Sequence, residues 1–142
     1  GLCNLYTVQF FLTFPGDGTF TDVTKDTGIG PKSFANGAVW VDIDQDGDMD
    51  LYVTTVGDTR HYLYVNYGGY FQEEALERNC SMQTNDKRKL SGMTPNVGDF
   101  NLDGFPDIYV TEWLPHTLGK VMTAKARVAS LFNRKRVGAS YL

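Results

Sequence analysis

An acidic nine-residue pattern occurs twice in this 142-residue chain and limits its folds more than any other feature. Residues 42–53 read Asp-Ile-Asp-Gln-Asp-Gly-Asp-Met-Asp-Leu-Tyr-Val, and residues 99–110 read Asp-Phe-Asn-Leu-Asp-Gly-Phe-Pro-Asp-Ile-Tyr-Val. The two stand 57 residues apart (99 − 42), and eight positions keep the same residue or a close chemical equivalent. Oxygen-bearing side chains fall at positions 1, 3, 5 and 9. They are Asp42, Asp44, Asp46 and Asp50 in the first loop, and Asp99, Asn101, Asp103 and Asp107 in the second. Position 6 is Gly47 or Gly104, where a missing Cβ lets the backbone wrap tightly. Position 7, Asp48 or Phe105, can offer its backbone carbonyl.

Such spacing aims several oxygens at one centre. Five carboxylates within nine residues repel one another, at roughly 1 kcal/mol per pair near 4 Å even in water. A hard cation offsets that repulsion. All-oxygen donors favour calcium, which takes about six to eight of them, over zinc or copper; magnesium prefers to keep its waters. The expectation is therefore two Ca²⁺ sites. An EF-hand needs Glu at position 12 between two helices. That position is Val53 or Val110, inside a strand-like run, so the pattern predicts a calcium loop carried by a β-hairpin.

The rest of the chain reads as strands. Ala38 to Val41, Leu51 to Thr55, Tyr62 to Tyr67 and Ile108 to Trp113 are short β-branched or aromatic runs, as is Leu5 to Phe14. Pro15-Gly16-Asp17-Gly18 and Gly68-Gly69 mark turns. A second echo joins Gly18-Thr19-Phe20-Thr21-Asp22 to Gly69-Tyr70-Phe71-Gln72-Glu73, at an offset of 51 (71 − 20). Glu73 to Arg78 is the one clear helical expectation, and Met122 to Phe132 is ambiguous. Short strands in units of 50–60 residues suggest one four-stranded propeller blade per unit. The expected fold is all-β, an incomplete propeller piece of about two and a half blades. Its units are 1–60 with loop 42–50, 61–117 with loop 99–107, and 118–142 as the start of a third.

At these residues the chain resembles the FG-GAP/VCBS repeat family, whose best-known members are the propellers of integrin α chains. The resemblance is carried by Gly37-Ala38-Val39-Trp40-Val41-Asp42 through Asp50-Leu51-Tyr52-Val53-Thr54, and by Gly18-Thr19-Phe20-Thr21-Asp22-Val23-Thr24. Phe34 stands where the family's "FG" phenylalanine would, with Ala35 in place of its glycine. Neither Val53-Thr54-Thr55 nor Val110-Thr111-Glu112 reads "GAP", so the look is nearer to secreted propellers of the cartilage-acidic-protein type than to integrins. The resemblance implies an FG-GAP-type β-propeller. It also implies an extracellular module for adhesion, or for protein and matrix ligands, with structural calcium. By position, Asp42, Asp44, Asp46 and Asp50 with the Asp48 carbonyl would be one ligand set. Asp99, Asn101, Asp103 and Asp107 with the Phe105 carbonyl would be the other.

Other features are read as structural. His61 and His116 carry no nucleophile signature, so no catalysis is expected. Arg60, His61, Tyr62, Tyr64, Tyr67 and Tyr70 could stack on carbohydrate, but alternating aromatics more often pack across strands. A lectin-like sugar binder and a non-catalytic propeller beside a polysaccharide- or lipid-acting enzyme are the alternative functions. The net charge is −4, yet residues 120–142 hold six basic side chains and no acid. That tail is read as a solvated strand and loop, with no nucleic-acid partner. No apolar run approaches the ~20 residues of a membrane helix. Cys3 and Cys80 are too few for a zinc site. Asn79-Cys80-Ser81 fits the N-glycosylation pattern.

Overall fold

A computed structural model describes residues 11–30, 34–58, 60–83, 89–113 and 124–129. The described residues form nine strands and no helix, in three antiparallel sheets. Strands β1 (Leu12–Thr13) and β2 (Thr21–Asp22) make a hairpin. Strands β3 (Ala35–Val41), β4 (Asp50–Thr55), β5 (Tyr62–Asn66) and β6 (Phe71–Glu73) make a four-stranded meander. Strands β7 (Gly92–Gly98), β8 (Asp107–Trp113) and β9 (Ala124–Ala129) make a third sheet. No helix of the described residues is long and apolar enough to cross a membrane.

The four strand runs expected at 38–41, 51–55, 62–67 and 108–113 appear as β3, β4, β5 and β8. Strands β4 and β5 are buried along almost their whole length because the meander is covered on both faces. On one face Tyr52, Leu63 and Val65 join Val41 and Ile43 against Ile108 and Val110 of β8. On the other, Val53, Tyr62, Tyr64 and Phe71 pack with Ile29, and Phe11 and Leu51 close the edge of that cluster. The alternation that sends Tyr52 one way and Leu51 and Val53 the other is the period-two geometry of a strand.

Close backbone approach joins the meander to the third sheet. The Thr54 hydroxyl donates to the Met93 carbonyl at 2.5 Å, and Asn36 Nδ2 donates to the Gly92 carbonyl at 3.0 Å. A Cβ on Gly37 would lie 2.8 Å from that same Met93 carbonyl, so glycine is what lets β3 and β7 touch. Strand β7 contains Pro95, which no ladder interior tolerates. It fits because β7 is an edge strand with a register shift between Gly92 and Pro95.

One expectation is corrected. Glu73 to Arg78 is not a helix: β6 ends at Glu73, and 75–79 is a single turn. Cys80 N–H bonds back to the Ala75 carbonyl at 2.9 Å and Asn79 N–H to Leu76 at 3.1 Å, a Schellman closure with Asn79 at φ 57°. This stops the chain after one turn, despite its Ala, Leu and Glu. The aromatic run at 60–70 is divided, and its inner part packs within the sheet as the alternation predicts. Tyr62 and Tyr64 are buried and stacked at 6.2 Å, and His61 is buried, leaving only Tyr67 and Tyr70 of that set outside. The ambiguous 122–132 segment contains β9, which pairs with β8 from Ile108 to Trp113.

The sheets run out of phase with the sequence units. The meander crosses residue 60, so β1–β2 and the turn at 24–28 repeat β5–β6 and the turn at 75–79, offset by 51 (75 − 24). Gly28 at φ 76° and Asn79 at φ 57° occupy the same place in the two copies. Cys80 is free and fully buried, and burial pushes its thiol up to about 12, so it is chemically inert in the native fold. Cys3, His116 and most of the basic tail lie outside the described residues.

Candidate metal centre

Both acidic loops join the first strand of a sheet to its second: 42–49 links β3 to β4, and 99–106 links β7 to β8. Their backbones match position by position. Gln45 and Leu102 both take left-handed φ, 60° and 61°, and Gly47 and Gly104 do so at 97° and 86°. In the first loop, Asp42 Oδ1 accepts the Asp46 N–H at 3.1 Å, and its Oδ2 accepts the Gly47 N–H at 3.1 Å. In the second, Asp99 accepts from Asp103 at 3.1 Å and Gly104 at 2.9 Å. Asp46 and Asp103 each accept the N–H two residues on, from Asp48 and Phe105, at 2.9 Å. Asn101 Oδ1 also accepts the Asp103 N–H at 2.9 Å.

The ninth position closes each loop from below. Asp50 is completely buried; its Oδ2 accepts the Ile43 N–H and its Oδ1 the Asn66 N–H, both at 2.8 Å. Burial raises its carboxyl above the ordinary carboxylate range, against the pull of those two bonds. Asp107, also buried, accepts the Phe100 N–H at 3.0 Å. Each terminal aspartate is thus held by backbone, with its loop folded over it.

Asp42, Asp44 and Asp50 bring carboxylate oxygens within 4.8 Å of one another, the one such trio among the described residues. Asp46 and Asp48 are exposed on the outer turn. In the second loop Asn101 replaces the carboxylate of Asp44 by an amide oxygen, leaving Asp99 and Asp107 as the matching acids. An all-oxygen set with two or three carboxylates suits a hard divalent cation and no soft metal.

Three residues at the first loop carry no sequence signal. Arg78, from the turn after β6, places Nη2 3.0 Å from Asp44 Oδ2 and Nε 2.8 Å from Glu74 Oε2. Burial pulls the guanidinium down, but its bonds to Glu74 and Asp44 hold it well above its ordinary value. It stands beside the carboxylates as a resident cation. The Asn66 side chain donates to the Met49 carbonyl at 3.2 Å, and Gln45 Nε2 donates across to the Gly104 carbonyl at 2.7 Å, linking the two loops. Only a long-range fold brings Arg78 to Asp44, so no local pattern could have found it.

Residues 6–53 match the family model of the FG-GAP-like repeat. That stretch is similar to an FG-GAP-like repeat. The match ends at Val53, so it contains the first acidic loop whole together with β1 to β3 and most of β4. No curated protein matches the chain. The FG-GAP-like repeat fits an all-β chain of small antiparallel sheets, and it makes a propeller-type binding module the coarse functional class. The second loop reproduces the first outside the matched residues, through the internal repeat alone.

Proposed function

We propose that the chain is a calcium-stabilised FG-GAP propeller module, extracellular and non-catalytic, that presents its loop rim to a protein or matrix ligand. On this reading each sheet is a blade, β3–β6 being a whole one. Ca²⁺ would be held at two sites: by Asp42, Asp44, Asp46 and Asp50 with the Asp48 carbonyl, and by Asp99, Asn101, Asp103 and Asp107 with the Phe105 carbonyl. The single observation that carries it is the duplicate loop backbone, with the same left-handed positions and the same aspartate-to-backbone bonds 57 residues apart. A bound cation would lower the repulsion within each loop and fix the rim from which ligands are met.

The test is calorimetric titration of the chelator-treated chain with calcium. Two sites with Kd near 10⁻⁴–10⁻³ M are expected, the range of extracellular modules. Asp46→Ala should raise the calcium concentration needed to stabilise the fold, because a ligand that binds only the native state shifts its stability by mass action. No heat with calcium, and a thermal midpoint indifferent to it, would remove the cation from the proposal.

Arg78 sets the two loops apart. Its guanidinium already neutralises Asp44, so an incoming cation competes with it at the first loop. Arg78→Gln should tighten calcium at that loop about fivefold, or about 1 kcal/mol, and leave the second loop unchanged. Equal affinities before and after the substitution would show that Arg78 does not contend for Asp44.

A further inference from the structure

The two acidic loops are joined by a side chain of the first. Gln45, at position 4 of the first loop, donates from Nε2 to the carbonyl of Gly104, at position 6 of the second, at 2.7 Å. The peptide that accepts this bond is also a donor: its N–H, that of Phe105, bonds to Asp103 Oδ1 at 2.9 Å. A peptide that accepts at its oxygen donates better at its nitrogen. At the other end, the peptide after Gln45 donates its N–H, that of Asp46, to Asp42 Oδ1 at 3.1 Å. Gln45 therefore connects a peptide held by an aspartate of the first loop to one held by an aspartate of the second.

The shape of the loop does not require this contact. Position 4 of the second loop is Leu102, which has no donor and is 87% exposed. It takes the same left-handed φ as Gln45, 61° against 60°. The two residues share a backbone and differ in reach, because only Gln45 extends a polar group to the neighbouring loop.

The contact also falls among the groups that would hold the cations. Gln45 stands between Asp44 and Asp46, and Gly104 between Asp103 and Phe105. The outer turns, 45–49 and 101–104, are exposed, and exposed turns lie at the low-stability end of a fold. An ion that orders one loop fixes one end of the Gln45–Gly104 bond, so the other loop has less ordering left to supply.

We propose that the two loops bind calcium cooperatively and that the Gln45–Gly104 bond is the link between them. The inference rests on the reading of both loops as calcium sites. The intrinsic affinity of each loop is untouched. The second ion to arrive binds about threefold more tightly than it would without the bond, the scale that one exposed neutral hydrogen bond supplies. Coupling is reciprocal, so filling either loop favours the other by that same factor. Repulsion between two dications opposes it, but Gln45 is neutral, and replacing it by another neutral residue leaves that repulsion as it was.

Calcium titration of the full chain, followed at the Gly47 and Gly104 amide resonances, reads each loop separately. Gln45→Leu places at position 4 the residue type that the second loop already carries there. The coupling factor fitted to the two curves should be about threefold larger in the wild type than in Gln45→Leu, with the intrinsic affinities equal. In a chain whose second loop is disabled by Asp99→Asn, Gln45→Leu should leave the first loop unchanged. Asn101→Ala serves instead where circular dichroism shows that Asp99→Asn is unfolded. Equal coupling factors in wild type and Gln45→Leu would overturn the link while leaving both calcium sites standing. A first-loop loss that persists in the disabled chain would overturn it too, by showing that Gln45 acts within its own loop. No response of either glycine to calcium in the wild type would overturn the calcium reading, and the coupling with it.

Discussion

Asp50→Ala is expected to lower the stability of the chain by about 3 kcal/mol, roughly 10 °C in the thermal midpoint. The reason is bonding, not metal. Asp50 is fully buried and accepts two backbone N–H groups, Ile43 at the start of the loop and Asn66 at the end of β5, each at 2.8 Å. Alanine strips both donors of their acceptor. A buried polar group left without its partner costs about 1–3 kcal/mol. Asp50→Asn keeps one oxygen of the two, so it should cost about half as much. The measurement is denaturant unfolding with chelator present, which removes any contribution of a bound cation. If Asp50→Ala loses stability only when calcium is present, the carboxylate is a ligand and its backbone bonds contribute little.

That result would separate two roles that one aspartate holds. The loop is built so that its ninth residue is the first residue of β4, where the carboxylate is buried under the turn and ties β5 to it. Positions 1 and 5 face the other way and cap the N–H groups of the turn itself. A loop folded by its own aspartates is prearranged for a cation, which reduces the ordering that binding must supply.

Much of the fold and of both loops is legible in the amino-acid sequence, and the reason is local. Strand and loop signals at 38–55 and 107–113 depend on period-two alternation and on glycine at a left-handed position, which neighbouring residues determine. The exceptions are instructive. Strand β7 is hidden by Pro95 and two glycines, acceptable only because β7 is an edge strand pressed against Gly37. The turn at 75–79 has helix-forming residues, but Asn79 ends it through a left-handed closure. Arg78 meets Asp44 from 34 positions away, a pairing that exists only once β6 is laid beside β5. The phase between sequence unit and sheet is also invisible in the sequence, because a repeat can be cut anywhere without changing its period.

Tyr52→Ala should be the most damaging single truncation, costing about 4 kcal/mol, whereas Tyr109→Ala should cost about 1 kcal/mol. The two tyrosines stand at one position of the repeat, each in the run that follows its acidic loop. Their surroundings differ. Tyr52 has no exposed surface, packs in the cluster between the meander and β8, and donates its hydroxyl to the Cys80 carbonyl at 2.7 Å. Burial lifts that hydroxyl far above its ordinary range, so it remains a neutral donor throughout the accessible pH range. Tyr52→Phe isolates the hydrogen bond and should cost about 1 kcal/mol of the total, the remainder being the cavity left by the ring. Tyr109 is half-buried on the outward side of β8, so truncating it opens no comparable void. Urea unfolding of the three variants at low concentration reads these differences directly. If Tyr52→Ala and Tyr109→Ala fall within about 1 kcal/mol of each other, the two faces are equally covered and the difference in burial between the two tyrosines carries no energy.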